Sequence, residues 1–515
     1  MRKSQIYPFI LSATLLALTA CSTTGETTKI SDDPTTQAIS ETYIEEELDE
    51  SGKLVSREGG DDIIVTTSAR VSASTTPSDI PASTPPPPAP VVALAEPSPS
   101  ADFMDRDASV SSSPIVSPIE SSKLSLPEGI LSRSGPTPQA GLLTAGDYDD
   151  VLNPELYKHY VDKMLQGELR HKELPYVDAD QRINIRVLDR LGKPMPMAEL
   201  SLTYSDGEKM FPLRTGADGM AYLYPNYDAL KPGIVIRVEA EGATAVTTTL
   251  SEDHVKSGGE IVIDLNTDRQ AIEALDLLLT IDATGSMADE MRYLQKELQS
   301  ILGRVEAANA GIDIRTGLIV YRDKGDAYVV KTIPFTDDID DFRKSLGEQT
   351  ADGGGDMPEA MQLAMRKGLS MDWREDALKI NLLVADAPPH DEDISDTWKT
   401  GLISRTEAIH IVPIAASGVD KTAEFLMRSM AQITGGRFLF LTDDSGIGNP
   451  HAEPTVDCYV VTRLDNLVTR VLNNLITGER DEPEADDVIR SVGNYRAGVC
   501  AVETKAQTVS VEDEG

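Results

Sequence analysis

Residues 275–281 read Leu-Asp-Leu-Leu-Leu-Thr-Ile, an apolar run interrupted only by Asp276 and Thr280. A strand with one wet face would alternate apolar and polar side chains, so this run belongs to a strand covered on both faces. Met287, Met291, Leu294, Leu298, Ile301 and Val305 follow it, spaced as one stripe of an amphipathic helix. Further strands are expected at 312–321, 328–335, 379–386, 408–414 and 437–441. A closing helix carries Leu464, Leu467, Val468, Val471 and Leu475 on one face. Strands alternating with helices predict an α/β domain over residues 269–480, a doubly wound, mostly parallel sheet with helices on both sides.

Ahead of this domain the period drops to two. Ile183, Ile185 and Val187; Leu200, Leu202 and Tyr204; Ile234, Ile236 and Val238; and Ile261, Ile263 and Leu265 form four such runs. Turn signals such as Gly192-Lys193-Pro194, Ser205-Asp206-Gly207 and Ala217-Asp218-Gly219 separate them, predicting a small antiparallel β-sandwich over 182–268. Residues 141–181 are expected to form a leading helical segment, with Leu156, Tyr160 and Met164 at four-residue spacing. The cluster Asp147, Asp149 and Asp150 before it reads as a helix cap, with a cation site as the alternative. Residues 481–515 read as an acidic tail.

The first 20 residues combine Arg2 and Lys3, an apolar stretch over 6–18 and small residues before Cys21, the pattern of an export signal. Residues 21–140 are rich in Ser, Thr, Pro and acids and cannot bury enough apolar surface to offset their ordering entropy. They are expected to be a disordered linker of about 115 residues with a coil span of roughly 60 Å. No later stretch is long and apolar enough to cross a bilayer as a helix. The formal charge of −38 excludes nonspecific attraction to nucleic acid or anionic lipid. Of the three cysteines, Cys21 belongs to the signal, leaving Cys458 and Cys500. In an exported chain these read as a disulfide, with two buried thiols as the alternative.

Chemistry concentrates at three polar loops. Open α/β sheets bind ligands at the carboxyl ends of their strands. Asp282-Ala283-Thr284-Gly285-Ser286 follows the first strand and offers a carboxylate and two hydroxyls at alternate positions, so that all three can face one point. Gly353, Gly354, Gly355 and Asp356 form a loop whose glycines allow close backbone approach. Asp386 ends the strand over 379–386. Carboxylates and hydroxyls are hard ligands, suited to Mg²⁺, Mn²⁺ or Ca²⁺.

These motifs resemble the metal-ion-dependent adhesion site of the von Willebrand factor type A family, with an Asp-x-Ser/Thr-x-Ser loop, a second-loop Thr and a third-loop Asp. The resemblance covers about 200 residues and extends to uncharacterised bacterial members and to the module attached to some alpha kinases. It implies that Asp282, Thr284, Ser286 and Asp386 hold a divalent cation, Mg²⁺ first among them. Asp356 departs from the family by standing where Thr is usual. A third carboxylate would leave the loaded cluster near −1 and weaken its attraction for an acidic partner group. Leu18-Thr19-Ala20-Cys21 resembles the lipobox of bacterial lipoproteins. That likeness implies an acylated (palmitate-bearing) Cys21 and, with Ser22 after it, the outer membrane of a Gram-negative cell, facing periplasm or surface. The sandwich turns resemble carboxypeptidase regulatory-like and immunoglobulin-like modules.

The function expected from these readings is a non-enzymatic, metal-dependent binding module, tethered to the membrane and directed at an envelope or extracellular protein. The alternatives are a structural envelope protein with a purely stabilising metal and a hydrolase using Ser286, His390 and Asp386. The hydrolase reading lacks a Gly-x-Ser-x-Gly elbow, and its serine and aspartate are better used on the cation. Arg322 and Asp323 are expected near the site, around it or in an ordinary ion pair.

Overall fold

The computed structural model describes residues 46–48, 54–56 and 139–501, apart from 180, 356, 417, 448–450 and 452–453. The export signal with Cys21, most of the linker, Asp356 and the last residues of the tail lie outside the described residues. Glu46–Leu48 (β1) and Leu54–Ser56 (β2) pair as a two-stranded ladder.

The next elements are β3 (Thr144–Asp147) and α1 (Pro154–Gln166). Pro154 opens α1 where a missing N–H costs nothing, and the helix buries Tyr157, Tyr160, Val161 and Met164. The sandwich follows: β4 (Ile183–Leu188), β5 (Glu199–Thr203), β6 (Lys209–Arg214), β7 (Met220–Leu223), β8 (Val235–Glu239), β9 (Val246–Thr249), α2 (Glu252–Ser257) and β10 (Gly259–Asp264). It has a three-stranded sheet, β10-β4-β7, and a four-stranded sheet, β6-β5-β8-β9. Ile183, Ile185, Val187, Leu200, Leu202, Ile236, Val238 and Ile263 meet between them. One pairing departs from the antiparallel expectation: β10 runs parallel to β4. Between β9 and β10 the chain passes through α2, capped by Ser251, and changes sheet instead of returning in a hairpin.

The α/β part contains β11 (Ala274–Asp282), α3 (Met291–Ala308), β12 (Asp313–Tyr321), β13 (Val330–Thr336), α4 (Ile339–Gly347), α5 (Met361–Leu369), β14 (Leu378–Ala385), α6 (Ile394–Thr406), β15 (Ile409–Ala415), α7 (Lys421–Thr434), β16 (Leu439–Thr442), β17 (Tyr459–Arg463), α8 (Leu464–Thr477) and β18 (Arg490–Val492). The sheet has nine strands in the order β13-β12-β11-β14-β15-β16-β3-β17-β18. β12, β11, β14, β15 and β16 are parallel, as the doubly wound expectation requires. β11 is buried at every position. Leu275, Leu277, Leu279 and Ile281 pack with Leu294, Leu298 and Ile301 of α3 and Leu467 and Val471 of α8. Leu278 points the other way, into a core with Met361, Met365, Trp398, Phe425 and Leu426 from α5, α6 and α7. Each large apolar side chain so buried stabilises the fold by about 1.5–3 kcal/mol.

β3 was not foreseen as a strand. It lies between β16 and β17, antiparallel to both, in register over Thr144 to Asp147. Its sequence, Thr-Ala-Gly-Asp, is too short and too polar to announce a strand. Gly146 fits because a Cβ there would come within 2.1 Å of the Phe440 ring. The Glu297 carboxylate of α3 accepts backbone N–H bonds from Gly141, Leu142 and Leu143, each at 2.9 Å, and fixes the start of the strand. The sandwich is therefore inserted between two strands of one sheet, instead of preceding an α/β domain in series.

The aspartates after β3 meet arginines far away in sequence. Asp147 pairs with Arg437 and, at 3.1 Å, Arg470. Asp149 accepts Val151 N–H at 3.0 Å and Leu152 N–H at 3.2 Å in a turn ahead of α1, whose N-cap is Asn153 and not one of these aspartates, and it pairs with Arg480 at 2.7 Å. Asp150 receives Arg428 in bidentate fashion at 2.7 and 2.9 Å, and that guanidinium lies 3.6 Å from the centre of the Tyr160 ring. Their local run concealed that ionic role. The acidic tail is also part of the fold as far as residue 501. β18 extends the sheet beside β17, Arg490 pairs with Asp444 at 3.1 Å, and Cys458 and Cys500 are joined by a disulfide with Cα atoms 5.6 Å apart.

Candidate metal centre

β11 and β14 are neighbours, and both deliver an aspartate at their carboxyl ends: Asp282 as the last residue of β11 and Asp386 just beyond β14. Both are buried. The first loop folds back on Asp282, whose Oδ1 accepts the Thr284 N–H at 2.9 Å and the Thr284 hydroxyl at 2.6 Å. Thr284 Oγ1 is 3.2 Å from the exposed Ser286 hydroxyl. Asp282, Thr284 and Ser286 thus form one chain of oxygen atoms leading to the surface. After a 3₁₀ turn, Gly285–Asp289, the chain enters α3.

The second loop is laced to the first. Gly285 N–H donates to Gly353 O at 3.0 Å, and Asp352 N–H donates to Ala283 O at 3.0 Å. Gly353 and Gly354 have φ of 79° and 70°, a region that favours glycine. A Cβ on Gly354 would stand 2.9 Å from Glu359 Oε1 and 3.2 Å from Thr284 Cβ. Gly354 N–H donates to Asp326 at 2.8 Å. Arg322 braces the first loop, donating to Ala283 O at 3.1 Å and to Thr350 O at 2.8 Å, with its guanidinium over the Tyr328 ring. Asp323 instead pairs with His390 Nε2 at 2.7 Å. His390 is thus engaged by Asp323 and not by Asp386, and no hydrogen bond among the described residues joins it to Ser286.

Burial, and then the nearby charge of Asp386, push the Asp282 carboxyl up to about 7 despite the two bonds from Thr284. Asp282 Oδ2 is buried and makes no hydrogen bond of ordinary geometry among the described residues, although the Tyr321 hydroxyl also faces the carboxyl and pulls against the rise. A second carboxylate was missed in the sequence. Glu359 is 2% exposed, its Oε2 likewise has no partner among the described residues, and burial followed by the field of Asp282, Asp323, Asp386 and Asp326 pushes it up to about 9. Its signal was present in the Asp-Met-Pro-Glu that follows the glycines, but nothing in that spacing distinguished it from a solvated acid. Among the described residues, no three His, Cys, Asp or Glu side chains are grouped closely enough to hold an ion by themselves. A cation here would rest on Asp282 and Asp386 with hydroxyl oxygens. An orphaned buried carboxylate oxygen in an all-oxygen cradle fits a hard divalent ion.

The family model for the von Willebrand factor A domain matches residues 276–443, a stretch that begins within β11 and takes in all three loops. The chain is a von Willebrand factor A domain-containing protein. An ariadne-like RING finger protein of Acanthamoeba polyphaga mimivirus is 30% identical over 195 residues, covering 34% of this chain and 19% of that protein. An alpha-protein kinase of Dictyostelium discoideum is 30% identical over 122 residues, covering 24% and 20%. The chain thus spans about a fifth of the length of these curated relatives. Among solved structures, the conserved hypothetical protein BatB of Bacteroides thetaiotaomicron is similar at 9% identity and a TM-score of 0.29, covering 39% of this chain and 98% of that one. The A domain's own sheet exceeds the matched stretch at both ends, because β3 precedes it and β17, α8 and β18 follow it.

Proposed function

We propose that this protein is a non-enzymatic, metal-dependent protein-binding module, displayed at the bacterial cell envelope on a long lipid-anchored tether. The observation that carries the reading is the pair Asp282 and Asp386, two buried like-charged carboxylates at adjacent strand ends beside a loop that leads through Thr284 to the exposed Ser286. Asp282, Thr284, Ser286 and Asp386 would hold the ion, with Asp356 as the further ligand expected from sequence. A bound Mg²⁺, Mn²⁺ or Ca²⁺ would supply a Lewis-acidic position for a partner's oxygen atom at the surface. A binding role also accords with similar stretches that make up about a fifth of proteins named for a RING finger and for a kinase. Anchoring rests on the Leu18-Thr19-Ala20-Cys21 motif. Among the described residues no helix is long and apolar enough to cross a membrane.

The test is retention of envelope proteins on the immobilised chain in Mg²⁺ and in chelator, for wild type and Asp282→Asn. A set of partners held only with metal, and only by wild type, supports the reading. Identical retention in all four conditions by folded protein refutes it in favour of a purely structural site.

A further inference from the structure

Glu359 occupies a position that links all three loops. Its backbone N–H donates to Pro388 O at 2.9 Å, tying it to the loop after Asp386, and it forms a parallel bridge with Pro389. Its side chain points the other way. Glu359 Oε1 and Thr284 Cβ lie 2.9 and 3.2 Å from the same point, the place where a Gly354 Cβ would sit, so the carboxylate and the first loop flank the glycine turn from two sides. A side chain on Gly354 would press on both Glu359 and Thr284. Glu359 is almost completely buried, and its Oε2 makes no hydrogen bond among the described residues. Leaving a buried carboxylate oxygen unsatisfied is costly, and the cost rises when other carboxylates face it.

We propose that Glu359 is a positioning residue of the cation site, holding the ion's bound waters instead of the ion itself, and that it favours Mg²⁺ over Ca²⁺. The inference rests on the metal-dependent reading above. An outer role accords with the grouping of acids here, since among the described residues no three His, Cys, Asp or Glu side chains come together as a set of direct ligands. Selectivity follows from ion chemistry. Mg²⁺ is small and keeps several waters, which a fixed outer carboxylate can orient, whereas Ca²⁺ exchanges water for protein oxygen readily. Outer partners of metal ligands typically contribute 10- to 100-fold in affinity.

The experiment is calorimetric titration of MgCl₂ and of CaCl₂ into the chelator-stripped full chain, for wild type, Glu359→Gln, Glu359→Asp and Asp282→Asn, with circular dichroism melts of each. Glu359→Gln is expected to weaken Mg²⁺ by roughly 10- to 100-fold and Ca²⁺ by distinctly less, with Glu359→Asp recovering part of the Mg²⁺ affinity. Equal losses for both ions would overturn the proposal, because removing a distant charge weakens them alike. An unchanged Mg²⁺ affinity in folded Glu359→Gln would also overturn it, and if Asp282→Asn still abolishes binding the cation site itself stands. Wild type that takes up neither ion refutes the metal reading as well. Should Glu359→Gln not fold, the Mg²⁺-to-Ca²⁺ ratio of Glu359→Asp decides alone, a ratio equal to wild type counting against the proposal.

Discussion

In the metal-free protein, neutralising Asp282 should stabilise the fold while destroying the site. In an unfolded chain this carboxyl ionises from about its ordinary value of 3.8 upward; in the folded protein burial and Asp386 hold its proton until about 7. The sign follows directly: a group raised on folding weakens the fold progressively as pH climbs from near 4 to near 7, and the loss is complete above that. At about 1.4 kcal/mol per pH unit the interval amounts to roughly 4 kcal/mol, a ceiling that loop relaxation and water entry will reduce to about 2–4. Asparagine keeps an oxygen for the Thr284 N–H and hydroxyl, so Asp282→Asn removes the charge with little change of shape. Glu359, raised to about 9, adds a parallel slope that extends past pH 8 and persists in the variant, reduced by the missing neighbour. Urea denaturation in chelator at pH 5 and pH 8 measures this. Wild type should lose more stability than Asp282→Asn between the two, and the variant should be the more stable at pH 8. With saturating Mg²⁺ the order should reverse, since only wild type gains from ligation. Equal pH dependence of the two proteins in chelator would refute the repulsion argument.

Two further outcomes concern the fold. Cys500→Ser should lower stability by about 4 kcal/mol, the loop-closure value for the 42-residue separation of the bridge, and reductant should bring wild type down to the variant in guanidinium melts. Arg428→Ala should cost about 3–5 kcal/mol, because it strands buried Asp150 without its bidentate partner; a loss below 1 kcal/mol in thermal melts would show that water or another side chain replaces the guanidinium.

The parallel sheet was legible because its strands are buried on both faces and the helices between them carry single apolar stripes. The loops at Asp282 and Asp386 could be read for a related reason, since in such a sheet strand ends are where polar residues gather. What escaped was non-local. Thr144 to Asp147 carry no strand pattern and become one only because β16 and β17 leave a gap of one strand between them. Asp147, Asp149 and Asp150 looked like a local acidic cluster, yet their partners Arg428, Arg437, Arg470 and Arg480 come from residues almost three hundred positions or more away. Residues 490–500 read as tail by charge, although Arg490 and Cys500 are tied to Asp444 and Cys458. Glu359 was overlooked because its importance lies in what surrounds it, not in its spacing.

The place of β3 bears on how load would pass through the molecule. A pull on the chain ahead of residue 139 enters at Gly141 and runs into a strand paired over four residues on each side, with β16 and with β17. Because β3 lies inside the sheet and along its strands, tension acts on both ladders in shear, so that many hydrogen bonds resist together. An edge strand pulled sideways would instead unzip one bond at a time. The same entry point is gripped by Glu297 of α3, the helix that begins just after the Asp282 loop. Traction on an anchor ahead of residue 139 would thus be borne in the middle of the sheet, one helix away from the Asp282 loop.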